Sequence, residues 1–430
     1  MQPSVKNPTG FNRGSVKKGD IMQILMVTPK FSRKHGGGGL VITSQLSKEL
    51  AKNNDVTVYT SDYEYDQEFV GKHVLKGINV KSFKSNLNLA SFHFTLDMIK
   101  HCKKEFKEKK YDIIHLQCYR SFQNAIVCYY ARKYGIPYIL DSHGMTPGYG
   151  SIPIRFFKWI IDLAFGYKLL RGAALCIAET KTGIAEYEEY GVGRERIRMI
   201  LPARDLSEFD NLPEKGEFKK KRDIKEKHMI LFLGGIDHIK GVDFLVKSFI
   251  ELCKERDDTM LVLAGADFGL KKELDKLIDA AKLNHKVLYT GFISGRDKLE
   301  MIRDADMMVM PSRREQGLPF SGLESLMCLT PLIVTEHTGA GDDVVNMSGG
   351  GFLIKMDDIE GLKKLMISLI NDPEKTGQWS ALVGKHYVEK NFSINNIIKE
   401  HEDAYKRVIS GPLLTDQEYI DLCKEKDLYG

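Results

Sequence analysis

The sequence predicts an α/β fold: two Rossmann-like domains facing across a cleft. Three observations lead there. Short, unbroken apolar runs, the pattern of strands buried on both faces of a parallel sheet, alternate with helical periodicity. The alternation breaks once, over residues 206–227, and then restarts. At 430 residues, the chain is too long for one ordinary core. A hydrophobic content of 43% with 28% charged residues suits a soluble globular protein, and no apolar run is long enough to span a bilayer.

Taken in order, residues 1–22 read as a tail: they are polar, with scattered Lys and Arg and no apolar h-region of a signal peptide. The first domain, residues 23–205, opens with the strand Ile24-Leu25-Met26-Val27-Thr28, ended by Pro29. A loop with Gly36-Gly37-Gly38-Gly39 follows, then a helix whose apolar face is Leu40, Ile42, Leu46 and Leu50. Further strands are Val56–Tyr59, Asp112–Leu116, Tyr138–Leu140, Leu175–Ala178 and Arg198–Ile200. Residues 206–227 are highly charged, contain Pro and Gly, and read as a linker. The second domain, residues 228–392, restarts the rhythm with Met229–Leu233, Met260–Leu263, Val287–Tyr289, Met307–Met310 and Leu332–Val334. Residues 393–410 read as a helix, with apolar spacing at Ile394, Ile397, Ile398 and Tyr405, and residues 411–430 as a second tail.

Seven scattered cysteines without a C-x-x-C pair point to a reducing cytoplasm and no structural zinc. The net charge of +5 hides an asymmetry: residues 1–200 hold 30 Lys and Arg against 18 Asp and Glu, and residues 201–430 hold 33 against 40. Two solvated surfaces explain this, and so does a first half that faces something anionic, such as a phospholipid surface or a lipid pyrophosphate. The stretch from Gly150 to Gly172, rich in Ile, Phe, Trp and Leu with Arg and Lys, divides the same way. It is either an internal helix at the domain edge or an amphipathic helix lying in a membrane interface. No nucleic-acid partner is expected.

The segment after Met310 is the most informative about chemistry. Pro311-Ser312 ends a strand, Arg313 to Gly317 form a loop, and a helix opens near Ser321 with Glu324 in its first turn. Acidic and amide groups and unpaired backbone N–H groups thus meet at the carboxyl end of a parallel strand, where such sheets bind ligands and where a helix N-terminus suits a phosphate. By itself, Ser321-Gly322-Leu323-Glu324 is also a capping box.

This segment resembles the signature of the family 4 glycosyltransferases, retaining enzymes of the GT-B fold, in which Glu, seven residues and a second Glu precede a run ending Thr-Pro. Here the second Glu is Glu324, followed by Ser325-Leu326-Met327-Cys328-Leu329-Thr330-Pro331. Counting back seven residues reaches Gln316, with Glu315 one place earlier. The resemblance gives Glu324 the nucleotide ribose and Glu315 or Gln316 the donor-sugar hydroxyls. Backbone N–H groups from Gly317 through Leu318 and Phe320 to Ser321 would hold sugar hydroxyls and the distal phosphate. Gly234-Gly235-Ile236-Asp237-His238-Ile239-Lys240-Gly241 is similar to the family's Gly-Arg-x-x-x-x-Lys-Gly run, whose Arg and Lys bind the diphosphate. Lys240 matches, whereas Gly235 stands at the Arg position, so Arg204, Arg313 and Arg314 are candidate replacements. His143, in Asp141-Ser142-His143-Gly144, is similar to a family His near the donor sugar, a contact and not a metal ligand because no partner ligands sit at suitable spacing. Gly37 and Gly38 align with the family's double Gly, where the backbone approaches a phosphate or sugar.

The resemblance implies a nucleotide-sugar donor held by the second domain, a glycan or lipid-linked acceptor held by the first, catalysis in the closing cleft, and a last helix crossing back onto the first domain. It implies no cofactor and no metal, and Asp304-Ala305-Asp306 reads as a structural helix-to-strand junction. Cell-surface polysaccharide or glycolipid synthesis is the family-level expectation. Two alternatives stay open: a non-catalytic sugar-nucleotide-binding paralogue, motivated by Gly235 and Gln316, and a GT-B-fold nucleotide-sugar epimerase.

Overall fold

The structure, a computed structural model, describes residues 21–31, 38–62, 72–75, 77–89, 92–108, 111–144, 152–314, 318–372 and 377–410. The chain divides into two compact units, one comprising the chain up to Arg204 together with the segment from Ile394, the other Asp205–Ser393.

In the first unit, β1 (Gln23–Val27) leads through α1 (Gly38–Leu50) to β2 (Asp55–Ser61), β3 (Lys72–Leu75) and β4 (Ile78–Phe83). The antiparallel pair β5 (Leu87–Leu89) and β6 (Phe92–Phe94) precedes α2 (Asp97–Glu105), β7 (Ile113–Gln117), α3 (Phe122–Tyr134) and β8 (Tyr138–Asp141). Next come α4 (Ile152–Ile161), a π turn at Asp162–Gly166, α5 (Tyr167–Gly172), β9 (Leu175–Ala178), α6 (Lys181–Glu189) and β10 (Ile197–Met199). The strands pair in the order β10-β9-β8-β7-β1-β2-β4-β3, parallel throughout except β3 against β4. The apolar runs become strands because both of their faces are covered. Ile24 to Val27 and all of β7 are buried, and α1 lays Ile42, Leu46 and Leu50 onto the sheet side.

The second unit opens with α7 (Glu217–Lys221) and β11 (His228–Leu233), followed by α8 (Val242–Cys253), β12 (Thr259–Ala264), α9 (Lys271–Ala280), β13 (Val287–Gly291) and α10 (Gly295–Asp304). It continues with β14 (Met307–Met310), α11 (Phe320–Met327), β15 (Leu332–Thr335), α12 (Asn346–Ser348), β16 (Phe352–Ile354), α13 (Ile359–Asn371) and α14 (Trp379–Asn391). Its all-parallel order is β13-β12-β11-β14-β15-β16. One face of the sheet is sealed by α8, α9 and α13 through Phe244, Phe249, Leu274, Leu362 and Met366.

The charged stretch 206–227 is not an extended linker. Phe218 on α7 is buried, the Asp304 carboxylate accepts the backbone N–H groups of Gly216 and Lys219, and Lys221 reaches Glu300 at 2.6 Å. Its charge density reflects a short helix with one buried aromatic and a solvated face, which composition does not distinguish from a linker. The same contacts give the Asp304-Ala305-Asp306 pair a structural use, since Asp306 accepts the N–H of Met229 at 2.8 Å.

The last helix, α15 (Ile394–Ser410), belongs to the first unit and buries Ile397, Ile398, Ala404, Tyr405 and Ile409. The Tyr405 hydroxyl lies 2.8 Å from His115 Nδ1 in the middle of the sheet, and Asn54 donates to Glu402 at 2.8 Å. Burial, with the nearby His401 and His143, keeps His115 neutral by holding its pKa well below the usual imidazole value. Removing the Tyr405 hydroxyl leaves a buried ring nitrogen unsatisfied, at a cost of about 1–3 kcal/mol. Tyr405→Phe is therefore expected to lower the midpoint of chemical unfolding. An unchanged midpoint would show that the contact between Tyr405 and His115 does not contribute to stability.

Candidate functional site

In the second sheet, chain order runs outward from β11 to β12 and β13 on one side and from β14 to β15 and β16 on the other. The loops leaving the carboxyl ends of β11 and β14 therefore flank the point of reversal, where open α/β sheets take their ligands. Both loops carry residues that the sequence singles out.

In the loop after β11, the Asp237 carboxylate accepts the backbone N–H of Lys240 at 2.7 Å and so folds the chain back just before α8. Gly241 caps α8 with φ 65°, and a Cβ there would collide with the Pro311 carbonyl oxygen. Only glycine meets both demands, and the outcome is that the Lys240 loop lies directly on the end of β14.

Arg313 fastens the two loops together. Its backbone N–H donates to Ile239 O at 2.8 Å. Its Nη1 donates to His238 O at 2.8 Å and to Asp243 Oδ1 at 2.7 Å; Nη2 donates to Asp243 Oδ2 at 2.9 Å and Asp357 Oδ1 at 2.6 Å; Nε donates to Asp357 Oδ2 at 3.2 Å. A guanidinium has five N–H donors, and all five are engaged. Arg313 is therefore a structural clamp and not the replacement for an arginine at position 235. Burial works against ionising Asp243, but the hydrogen bonds and charge of Arg313 outweigh it and hold the carboxyl below its ordinary range. Gly235 lies on the same loop, and a Cβ there would touch the Phe268 ring at 2.9 Å.

Glu324 sits deeper than the capping-box reading places it. Pro319 is the N-cap of α11, Phe320 its first residue, and no acidic residue lies in the first turn. Proline fixes its own φ and offers no side-chain cap, so the helix begins one residue before Ser321. Ser321 Oγ instead faces Met310 Sδ at 3.6 Å. Glu324 is buried, and its carboxylate accepts a hydrogen bond from Lys298 Nζ on α10 at 2.7 Å. Leu318 is buried beside the start of α11. Glu315, Gln316 and Gly317 lie outside the described residues, as does Gly37, while Gly38 is the first residue of α1.

In the first unit, His143 follows β8 with φ 49°, in the left-handed region that non-glycine residues rarely enter. Its Nδ1 lies 2.8 Å from Glu179 Oε1 and 3.4 Å from Asp141 Oδ1, and its Nε2 lies 2.6 Å from Gln117 Oε1. The sequence reading found no partner ligands near His143. The fold supplies two carboxylates, within 4.8 Å of the ring and of each other, from the ends of neighbouring strands. Burial alone would depress the imidazole, but the charges of Asp141 and Glu179 and the Glu179 hydrogen bond outweigh it and raise its pKa to about 9. With oxygen acceptors at both nitrogens, the imidazolium is a donor on both sides. A direct bond from His143 to a sugar would have to displace Gln117 or Glu179.

Two family descriptions match the chain: residues 36–208 fit Glycosyltransferase Family 4, and residues 214–382 fit the glycosyl transferases group 1. The chain belongs to the family 4-type glycosyltransferases. An uncharacterized glycosyltransferase of Methanocaldococcus jannaschii is 25% identical over 403 residues, covering 90% of this chain and 98% of that protein. The alpha-D-kanosaminyltransferase of Streptomyces kanamyceticus is 23% identical over 271 residues, covering 61% of this chain and 68% of that enzyme. Among solved structures, Anabaena HepE, crystallised with UDP and glucose, superposes with a TM-score of 0.71 at 16% identity, covering 89% of this chain and 99% of HepE. The fold of this glycosyltransferase is thus GT-B.

Sequence reasoning missed the partners that fix these groups: Asp243 and Asp357 for Arg313, Lys298 for Glu324, Gln117 and Glu179 for His143. No linear spacing signals them. Two outcomes follow for the glycosyltransferase. Gly241→Ala should lower its thermal unfolding temperature, because a methyl group meets a carbonyl in a strained backbone region, at a cost of about 2–4 kcal/mol. An unchanged transition would mean that the two loops are not locked. The imidazole of His143, followed by NMR, should titrate near 9. Its folded pKa is above the unfolded value, so the charged ring stabilises the protein fully below pH about 6.5, and this contribution is lost as pH rises through about 9. The stability advantage of the wild type over His143→Gln should shrink across that window; a constant difference would refute the charged assignment.

Proposed function

We propose that the chain is a retaining glycosyltransferase that moves a sugar from a nucleotide-diphosphate sugar to a glycan or lipid-linked acceptor. The observation behind this reading is the locked pair of loops at the reversal point of the second sheet, with Lys240 just ahead of α8 and α11 opening on the neighbouring strand end. A lysine beside the positive end of a helix suits a diphosphate. The complex of HepE with UDP and glucose supports a nucleotide-sugar donor. Glu324, in the second turn of α11, is assigned to the ribose diol, with Lys298 holding its carboxylate in place.

In the reaction, the anomeric carbon–oxygen bond to the diphosphate breaks as the acceptor oxygen bonds to the same face of the sugar. The acceptor proton passes to the departing phosphate oxygen. No protein nucleophile takes part, so the enzyme works by positioning and by absorbing the leaving charge. Neither a metal ion nor a cofactor enters this scheme, and synthesis of a surface polysaccharide or glycolipid is the setting we favour.

One observation favours the binding-only alternative: Arg313 is saturated and Gly235 offers no cation, which leaves the diphosphate with fewer positive partners. Incubation with UDP-, GDP- and ADP-sugars and a mixed acceptor library separates the readings. Transfer should occur with retained anomeric configuration. Lys240→Ala should lower kcat about 10²- to 10³-fold, the range for losing one oxyanion-stabilising group, and Glu324→Gln should act mainly on donor KM. Inverted product would refute the retaining mechanism; tight nucleotide binding without turnover would establish the paralogue; conversion of donor with no acceptor present would establish an epimerase.

A further inference from the structure

The helix α4 turns an apolar stripe outward. An ordinary surface helix turns its i, i+3, i+4, i+7 apolar stripe toward the core. On α4 and the turn after it, that stripe is Phe156, Trp159, Ile160 and Leu163, with exposures of 60%, 52%, 45% and 54%. The side turned inward carries Ile161 and Asp162, both buried. Phe156 and Trp159 stack with ring centres 5.8 Å apart, so the exposed aromatics form one continuous surface. Phe157 and Phe165 fix the helix to the body of the unit through Phe92, at 6.3 and 6.2 Å between ring centres.

The surrounding charge is of one sign. Between residues 152 and 172, the basic residues are Arg155, Lys158, Lys168 and Arg171 and the only acid is Asp162. Asp162 is neutralised by Arg120, which donates to it at 2.8 and 2.7 Å. Beside the stripe, a surface cavity of about 530 Å³ is lined by Arg155 and Lys158, by the Arg120-paired Asp162, and by the aromatics Phe156, Trp159, Tyr167 and Tyr190. Residues 1–200 as a whole carry 30 basic against 18 acidic side chains. No described helix is long and apolar enough to cross a membrane, so this face has the make-up of an element that lies in an interface, with Trp and Phe inserted and Arg and Lys at the phosphate level.

We propose that α4 docks the first unit onto an anionic phospholipid bilayer, with Phe156, Trp159, Ile160 and Leu163 entering the headgroup boundary and Arg155 and Lys158 meeting lipid phosphates at the cavity. This goes beyond the transfer reaction and stands independently of it. The complementary charge decides for a lipid surface over a second copy of the chain, which would bring the same four cations against each other.

The test is co-sedimentation of the full chain with phosphatidylcholine vesicles, with and without phosphatidylglycerol. Binding should need the anionic lipid, weaken with added salt, and fall roughly tenfold or more in the double variant Phe156→Ser, Trp159→Ser. Both side chains are exposed, and unchanged thermal unfolding of the variant checks that it folds. A second readout uses the two tryptophans of the chain, Trp159 and Trp379. In Trp379→Phe, the emission of Trp159 should shift to the blue and be quenched by brominated acyl chains when vesicles are added. Absence of binding to anionic vesicles, binding unchanged in the double variant, or a concentration-dependent dimer abolished by the same variant would overturn the proposal. No donor or acceptor is present, so none of these outcomes bears on the transferase reading.

Discussion

The candidate site of the second unit rests on how one guanidinium is spent. Arg313 joins two strand-end loops, the first turn of α8 and the turn at Asp357, using all of its donors. Each bond joins a charge to a carboxylate or a carbonyl, the stronger class of hydrogen bond. The clamp works only because Gly241 lets the backbone of one loop lie against the carbonyl of Pro311 in the other. Close approach comes first and charge pairing then holds it. Lys240 is thereby carried on a loop whose backbone is tied at both ends, so the donor binding proposed above would not first have to order that chain.

The first unit reaches a comparable end by different means. Cys118 and His143, the residues just past β7 and β8, both have positive φ, at 65° and 49°. Such strain persists where surrounding contacts over-determine it, and here the contacts are Glu179 and Gln117 on either side of the imidazole. Burying a cation is unfavourable unless it is paired, and pairing it with two acids raises its pKa instead of lowering it. The result is a fixed imidazolium at a strand end, just as Arg313 is a fixed guanidinium. In both units the charge is set by carboxylates from segments distant in sequence.

That origin explains what the sequence disclosed. Strands such as β1, β7, β11 and β14 are legible because a parallel strand buried on both faces is predominantly apolar, a local property. Lys240 and Glu324 are legible because a short spaced motif surrounds each. Glu324 and Lys298 are 26 positions apart, Arg313 and Asp243 are 70 apart, and His143 and Glu179 are 36 apart. These pairs exist only because of strand order, which periodicity does not reveal. The segment 206–227 reads as a linker for a related reason: its buried residues, Phe209, Pro213, Phe218 and Ile224, are few and irregularly spaced, and among so many charges they leave no periodic trace.

Position 235 carries no side chain, and its surroundings say what an arginine there would meet. The ring of Phe268 stands where a side chain on residue 235 would start, and it is highly exposed, so it could swing aside for a longer residue. Arg313 is less free to move, because its withdrawal from Asp243 would leave a carboxylate with 6% exposure only longer contacts, that to Lys247 at 3.5 Å among them. Breaking a buried pair costs more than forming it gains, so the clamp stays closed and, for the proposed donor site, Arg313 is not the cation that replaces an arginine at position 235. Backbone donors do not reorient when charge builds up on a leaving group, whereas an extra arginine would add attraction both before and during bond breaking. Only the second kind of gain speeds a reaction. Under the proposed transfer reaction, the loss of catalysis from having Gly235 is therefore only that part of an arginine's attraction which grows as the bond breaks.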